Sequence, residues 1–179
     1  MYRPIAAVRP FLAICLGLAI CFPASATPPV PNPRPEPKIY RSYQKEMNCL
    51  AKAIYFEARG EPVKGQQLVA QVVLNRVDSE YYPDTICDVV YQNDHLKNAC
   101  QFSFACDDVP DRIDEAAAYR LAKKIAITSF RCDRTCRRLR SGIGSSTHYH
   151  ADWVQPSWSQ KLEKMGKVGS HIFYFTASM

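Results

Sequence analysis

The sequence predicts an α+β domain in which helices come first and a small antiparallel sheet closes the chain. Apolar residues recur at helical spacing through 46–61 and 62–77, and again over 112–130. After Gly142 and Gly144 the pattern switches to short runs rich in strand formers, 147–150 and 171–175. Helices followed by strands read as segregated layers rather than alternating βαβ units. At 179 residues there is room for one domain with a real core.

The chain opens on an address. Arg3 and Arg9 make a positive start, Phe11 to Phe22 is an apolar run too short for a comfortable membrane span, and Ala24-Ser25-Ala26 is a small-residue cleavage signal. These features predict a signal peptide over 1–26, cut before Thr27, and an exported protein in the periplasm or cell envelope with no stable membrane anchor. An uncleaved anchor and a lipid on Cys21 are the rival readings; Ile20 before that cysteine fits the second poorly. Thr27 to Lys38 holds six prolines in twelve residues, and 27–43 reads as an extended spacer. The catalytic domain is expected over 44–179. Without residues 1–26 the chain keeps 21 basic and 17 acidic residues. A net of +4, dispersed, gives no ground for a nucleic-acid partner.

The first helix is expected over 44–58. Leu50, Ala53, Ile54 and Glu57 fall at i, i+3, i+4 and i+7 and share one stripe. Three are apolar and the fourth is an acid. At the edge of a buried stripe a carboxyl loses water and its pKa rises, the condition a general acid needs near neutral pH. The plain alternative is a Glu on a helix rim paired with Arg59 or a lysine. Gly60 is expected to end the helix in a left-handed conformation. Pro62 then suits a first turn, and 62–77, with Val69, Val72, Val73, Leu74 and Val77, reads as a core helix or, less naturally, a buried strand. Thr85 to Tyr91 reads as a short helix capped by Asp84 or Thr85.

Residues 92–109 read as a long loop pinned by Cys100 and Cys106, carrying Gln101-Phe102-Ser103-Phe104; ordered loops of this length tend to be functional, though an aromatic plug is an equal reading. Asp111 and Asp114 suggest a cap for a helix over 112–130, with Ile113, Ala117, Leu121 and Ile125 on its inner face and Arg120, Lys123 and Lys124 outside. Arg131 to Arg140 carries five arginines and reads as a solvated hairpin or a contact for an anionic polymer. The runs 147–150 and 171–175 are expected to pair antiparallel across 152–168.

Export makes the six remaining cysteines read as disulfides. Cys132 is expected to close with Cys136, with Cys87, Cys100 and Cys106 around one loop. Zinc is the competing reading, but paired C-x2-C knuckles are lacking. His148 and His150, two apart on a strand, face one side and form half a metal site without a persuasive third ligand.

Taken together, Glu57-Ala58-Arg59-Gly60-Glu61, Gly65-Gln66, Val72 to Val77, Tyr82-Pro83, Cys100 to Ser103, Thr147 to Ala151 and His171 to Phe173 resemble the cell wall hydrolases of the SleB/CwlJ type, which include spore-cortex-lytic enzymes. The likeness runs over about 48–175. It implies a lysozyme-like, lytic-transglycosylase-like fold with a helical lobe and a small β lobe around a groove. It implies peptidoglycan as the partner, Glu57 as the catalytic residue and no cofactor or metal; the protein is expected to be a monomer. Glu61, Gln101, Phe102, Ser103, His148, Tyr149 and His150 are the candidate substrate-binding residues. The chain departs from the pattern at Gly144-Ser145-Ser146, where a Gly-Ala pair is expected, and in its Cys132/Cys136 hairpin.

A glycosidic oxygen leaves only when protonated. Hydrolases usually add a second carboxylate; Glu61, Asp107, Asp108 and Asp152 qualify by position only. A lytic transglycosylase needs one acid, because the muramic acid 6-hydroxyl attacks and a 1,6-anhydro sugar results. That reading is favoured over a water-using muramidase and over a wall-binding protein without turnover.

Overall fold

The computed structural model describes residues 38–96, 100–133, 135–136, 143 and 145–176. The expected signal segment, most of the proline spacer and much of the arginine run lie outside these residues. In chain order the elements are α1 (Lys38–Ala58), α2 (Val63–Val77), α3 (Ile86–Val90), a 3-10 turn (Ser103–Ala105), α4 (Ala116–Phe130), β1 (His148–Ala151), a second 3-10 turn (Ser157–Lys161), β2 (Glu163–Val168) and β3 (His171–Phe175). The fold is α+β. No helix among the described residues is long and apolar enough to cross a membrane.

α1 is the central helix. Leu50, Ala51, Ala53 and Ile54 are fully buried, with Met47, Cys49, Tyr55 and Ala58 close behind. Buried positions crowd its second half, from Cys49 to Ala58, while Ser42, Gln44, Lys45 and Asn48 stay exposed, and α2, α3 and α4 all lie against it. It starts at Lys38, ahead of the expected 44. Its end also differs: Gly60 is not in the left-handed region, and the positive-φ glycines among the described residues are Gly166 and Gly169. The turn closes through Glu61 N–H donating to Ala58 O at 2.9 Å. Pro62, which lacks an amide hydrogen, then starts the next helix from the cap position, not from inside its first turn.

α2 settles the helix-or-strand alternative, and its valines are explained by two cores. Ala70, Val73 and Leu74 face the helical core, while Leu68 and Val72 join Ile143 and Phe173 beneath the sheet. Fully burying a valine or leucine contributes about 1.5–3 kcal/mol, enough to outweigh the modest helix propensity of β-branched residues. α3 is capped as expected, the Thr85 hydroxyl accepting from Asp88 N–H at 3.1 Å.

α4 begins four residues later than expected. Asp111 does not cap it, because its carboxylate is paired with Lys52 at 3.1 Å; the Glu115 amide donates to the Tyr55 hydroxyl at 3.1 Å. Its buried residues are Ala122, Ile125, Ala126 and Ser129; of the expected inner face, Ile125 is buried, Ile113 and Leu121 pack against the core with Ile113 ahead of the helix, and Ala117 is exposed.

The sheet is antiparallel in the order β1-β3-β2. β1 pairs with β3 antiparallel, as expected from sequence, in the register His148↔Tyr174 to Ala151↔His171. β2 was not expected: Glu163–Val168 reads EKMGKV, charged and broken by Gly166, where a bulge interrupts the pairing. Its ladder is imposed by β3 through a two-residue turn, Gly169-Ser170. Gly169 has φ 59°, the position that primed hairpin turns reserve for glycine.

Three disulfides join Cys49 to Cys87, Cys100 to Cys106 and Cys132 to Cys136. The last matches expectation. Cys87 does not share the loop of Cys100 and Cys106; it ties α3 to α1.

Candidate active site

Glu57 stands in the last turn of α1, on the stripe of Leu50, Ala53 and Ile54, all fully buried. Its Oε1 accepts from the Ser103 hydroxyl at 3.4 Å, and its Oε2 accepts from the Tyr149 hydroxyl at 3.1 Å. Three separate parts of the chain meet on one carboxyl. Burial pushes the Glu57 pKa above the ordinary carboxylate range, and the bonds from Tyr149 and Ser103 offset only part of that rise. Burial, then the neighbouring Glu57, also drives the Tyr149 phenol well above its usual value. Tyr149 therefore remains a donor at any working pH.

The Cys100–Cys106 loop positions Ser103 by alternation. Phe102 and Phe104 point inward, 2% and 7% exposed, and Phe104 stacks on Phe56 at 4.9 Å. Gln101 and Ser103 point the other way, into the groove. Phe102 is thus a core anchor and not part of the groove wall. Arg76, itself 2% exposed, lies 5.7 Å over its ring and donates from Nε to Thr147 O at 2.7 Å. With Asn75 Nδ2 donating to Ser146 O at 2.9 Å, this fastens α2 to the start of β1. Tyr149 is held from the sheet side by Phe173 at 5.8 Å and His171 at 5.0 Å.

Glu57 lies in a groove of 1120 Å³. It is lined by the end of α1 and the turn after it, from Phe56 to Glu61. The disulfide loop and the residue after it contribute Gln101, Ser103 and Asp107, and the segment of β1 and beyond contributes Tyr149, His150, Trp153, Val154 and Trp158. Glu61 is in the groove but occupied, its carboxylate accepting from the Ser170 amide at 2.9 Å and from the Ser170 hydroxyl. Burial works to raise its pKa, yet those two bonds and His171 outweigh it and hold the group below the ordinary range.

His148 and His150 do share a side of β1, both packing on Trp158, at 5.4 and 5.6 Å. His150 reaches the groove and bonds through Nε2 with the Tyr174 hydroxyl at 2.9 Å. His148 does not line it. Burial, with help from the Arg76 cation, lowers the His148 pKa to about 4. No three His, Cys, Asp or Glu side chains come together as a metal site among the described residues.

Sequence reasoning missed His171, Ser170 and Arg76. His171 was read only as the start of a strand, and it is buried on the same face as Phe173; nothing local indicated that it would back Tyr149.

A family model described as cell wall hydrolase matches residues 60–174, with Glu57 just ahead of the matched stretch. A spore cortex-lytic enzyme of Bacillus cereus is 45% identical over 132 residues, which cover 73% of this chain and 44% of that protein. One from Oceanobacillus iheyensis is 47% identical over 49 residues, 27% of this chain and 18% of that protein. The chain thus spans less than half the length of these curated relatives. Among solved structures, the catalytic domain of the germination-specific lytic transglycosylase SleB from Bacillus anthracis superposes with a TM-score of 0.56 at 28% identity, over 74% of this chain and 95% of that one.

Proposed function

The chain belongs to the SleB/CwlJ-type cell wall hydrolase family, and from this premise we propose that it degrades peptidoglycan in the cell envelope, cutting the glycan strand between N-acetylmuramic acid and N-acetylglucosamine. Glu57 is the general acid. The observation that carries this reading is a single carboxyl in the groove, raised in pKa by burial and held by two hydroxyl donors. Glu57 protonates the glycosidic oxygen as the bond to the anomeric carbon breaks. The muramic acid 6-hydroxyl attacks that carbon and returns its proton to the Glu57 carboxylate. No water is consumed, and the product is a 1,6-anhydro sugar.

Transglycosylation is supported by what the other groove carboxylates are doing. Glu61 is taken by Ser170, Glu115 is paired with Arg59 at 2.8 Å, and Asp107 accepts from the Val109 amide at 2.9 Å. Asp152, off the groove, pairs with Lys167 at 2.6 Å. Glu57 is the groove carboxyl that two hydroxyls from distant parts of the chain hold, and in this reading it performs both proton transfers. Gln101, Ser103, Tyr149 and His150 line the path of the strand. Export by the N-terminal segment, cut before Thr27, brings the domain to its substrate.

The test is turnover of purified sacculi by the native chain and by Glu57→Gln, with the products weighed by mass spectrometry. Gln keeps the shape of the protonated acid, so the fold should survive while turnover falls by about 10²–10⁴-fold or more. Products lighter by one water than reducing-end sugars establish transglycosylation. Folded Glu57→Gln working at the native rate removes Glu57 from the chemistry. A native protein that binds sacculi and releases nothing is a binding protein.

A further inference from the structure

Resting on the reading of the groove as a glycan site, we propose that Trp153 is the platform of a sugar-binding subsite in that groove, stacking against the apolar face of a pyranose ring of the strand away from the bond being cut. Trp153 is 74% exposed, more than any other large hydrophobic residue among those described. Single exposed apolar residues are ordinary; two observations set this one apart.

The first is its place. Trp153 lines the same groove as Glu57, and its chain neighbours Val154 and Pro156, both apolar, line it too. The polar side chains of Gln101 and Asp107 line the groove as well. A sugar ring combines apolar and polar surface in the same way, with C–H bonds on its faces and hydroxyl and amide groups at its edge. The C–H hydrogens carry small positive charges that suit the negative face of an indole.

The second is the contrast between a fixed backbone and a free ring. Val154 N–H donates to Ala151 O at 2.9 Å, closing a turn with Trp153 inside it. Asp152 N–H donates to Ser170 O at 2.7 Å, and its carboxylate pairs with Lys167. The turn is thereby tied to β2 and to the β2–β3 turn. The indole itself makes no ring contact with the described residues, whereas Trp158 packs against His148, His150 and Tyr174. A large aromatic held on a rigid support and left uncovered loses little freedom on binding. The fold has no packing use for this ring.

The experiment compares the native chain, Trp153→Ala and Trp153→Phe on soluble, uncrosslinked glycan strands of graded length. In Trp153→Ala the KM for long strands should rise about tenfold, the equivalent of one good stacking contact, with the loss concentrated in KM rather than kcat. Trp153→Phe should recover most of it. Because the side chain is exposed, unfolding is not expected, and a thermal melt checks this. Equal KM values for native and Trp153→Ala overturn the proposal while leaving the glycan reading intact. So does a loss confined to kcat, or one that Phe does not restore. A native chain that neither cuts nor binds the strands overturns the glycan reading and the subsite with it.

Discussion

Replacing Tyr149 with Phe removes one hydroxyl and keeps the ring that packs on Phe173 and His171. In the native site that hydroxyl donates to Glu57 Oε2 at 3.1 Å, leaving the 3.4 Å contact from Ser103 as the remaining side-chain donor. A hydrogen bond to an ionised group contributes about 1.5–3 kcal/mol, and here it favours the ionised carboxylate. Its loss should therefore raise the proton affinity of Glu57 by about tenfold or more, on top of the rise that burial already causes. The sign follows directly. The general acid is lost as pH rises through the Glu57 pKa, so a higher pKa postpones that loss. The alkaline limb of the pH–rate profile should move to higher pH in Tyr149→Phe. Turnover at the optimum should fall by no more than about 10²-fold, the lower end of what a positioned general acid contributes, because the acid itself remains. The assay is release of soluble muropeptides from purified sacculi across pH, with circular dichroism at each pH. An alkaline limb that stays in place or moves to lower pH would refute the argument that Tyr149 stabilises ionised Glu57.

Three further outcomes are expected. Cys49→Ala with Cys87→Ala opens a link of sequence separation 38 between α1 and α3, and the chain-entropy relation puts the loss near 4 kcal/mol, read by urea denaturation; a loss below about 1 kcal/mol would mean that α3 is held by other contacts. Gly169→Ala places a Cβ where φ is 59° and where the Glu61 carboxylate already sits, so it should cost about 1–2 kcal/mol from the backbone alone, and a variant as stable as the native chain would contradict the turn geometry. His148, with its pKa lowered from 6.5 to about 4 by burial and then Arg76, binds fewer protons folded than unfolded. It contributes stability that is present above about pH 6.5 and is lost as pH falls toward 4, and His148→Gln should flatten that part of the stability–pH curve.

The helical lobe was largely legible in the sequence because each of its helices announces itself locally. Leu50, Ala53, Ile54 and Glu57 repeat at the helix period, Thr85 is a ready cap, and the β1 and β3 segments alternate in register with the way they pair. The misses have a common cause. The α4 start was misplaced because Asp111 is taken by Lys52, a residue far away in sequence. β2 was missed because EKMGKV has no strand preference of its own and becomes a strand only when β3 supplies the hydrogen bonds. Phe102 was left open between a sugar contact and an aromatic plug, and burial decided for the plug, because nothing local distinguishes an aromatic that points into the core from one that points into a groove.

The sequence by itself determined the α+β order, the stripe that carries Glu57 and the family resemblance. These depend on periodicity and residue type, which act over a few residues. Only the tertiary structure decided which groups reach Glu57. Ser103 lies 46 residues from it and Tyr149 92, and bonds over such separations exist only once Phe102 and Phe104 are buried and Arg76 has fastened β1 to α2. The same packing occupies Glu61 within the groove by giving it to Ser170, while burial raises the pKa of Glu57. Desolvation is a property of the assembled site, so a spacing in the sequence could mark the acid but not the environment that makes it one.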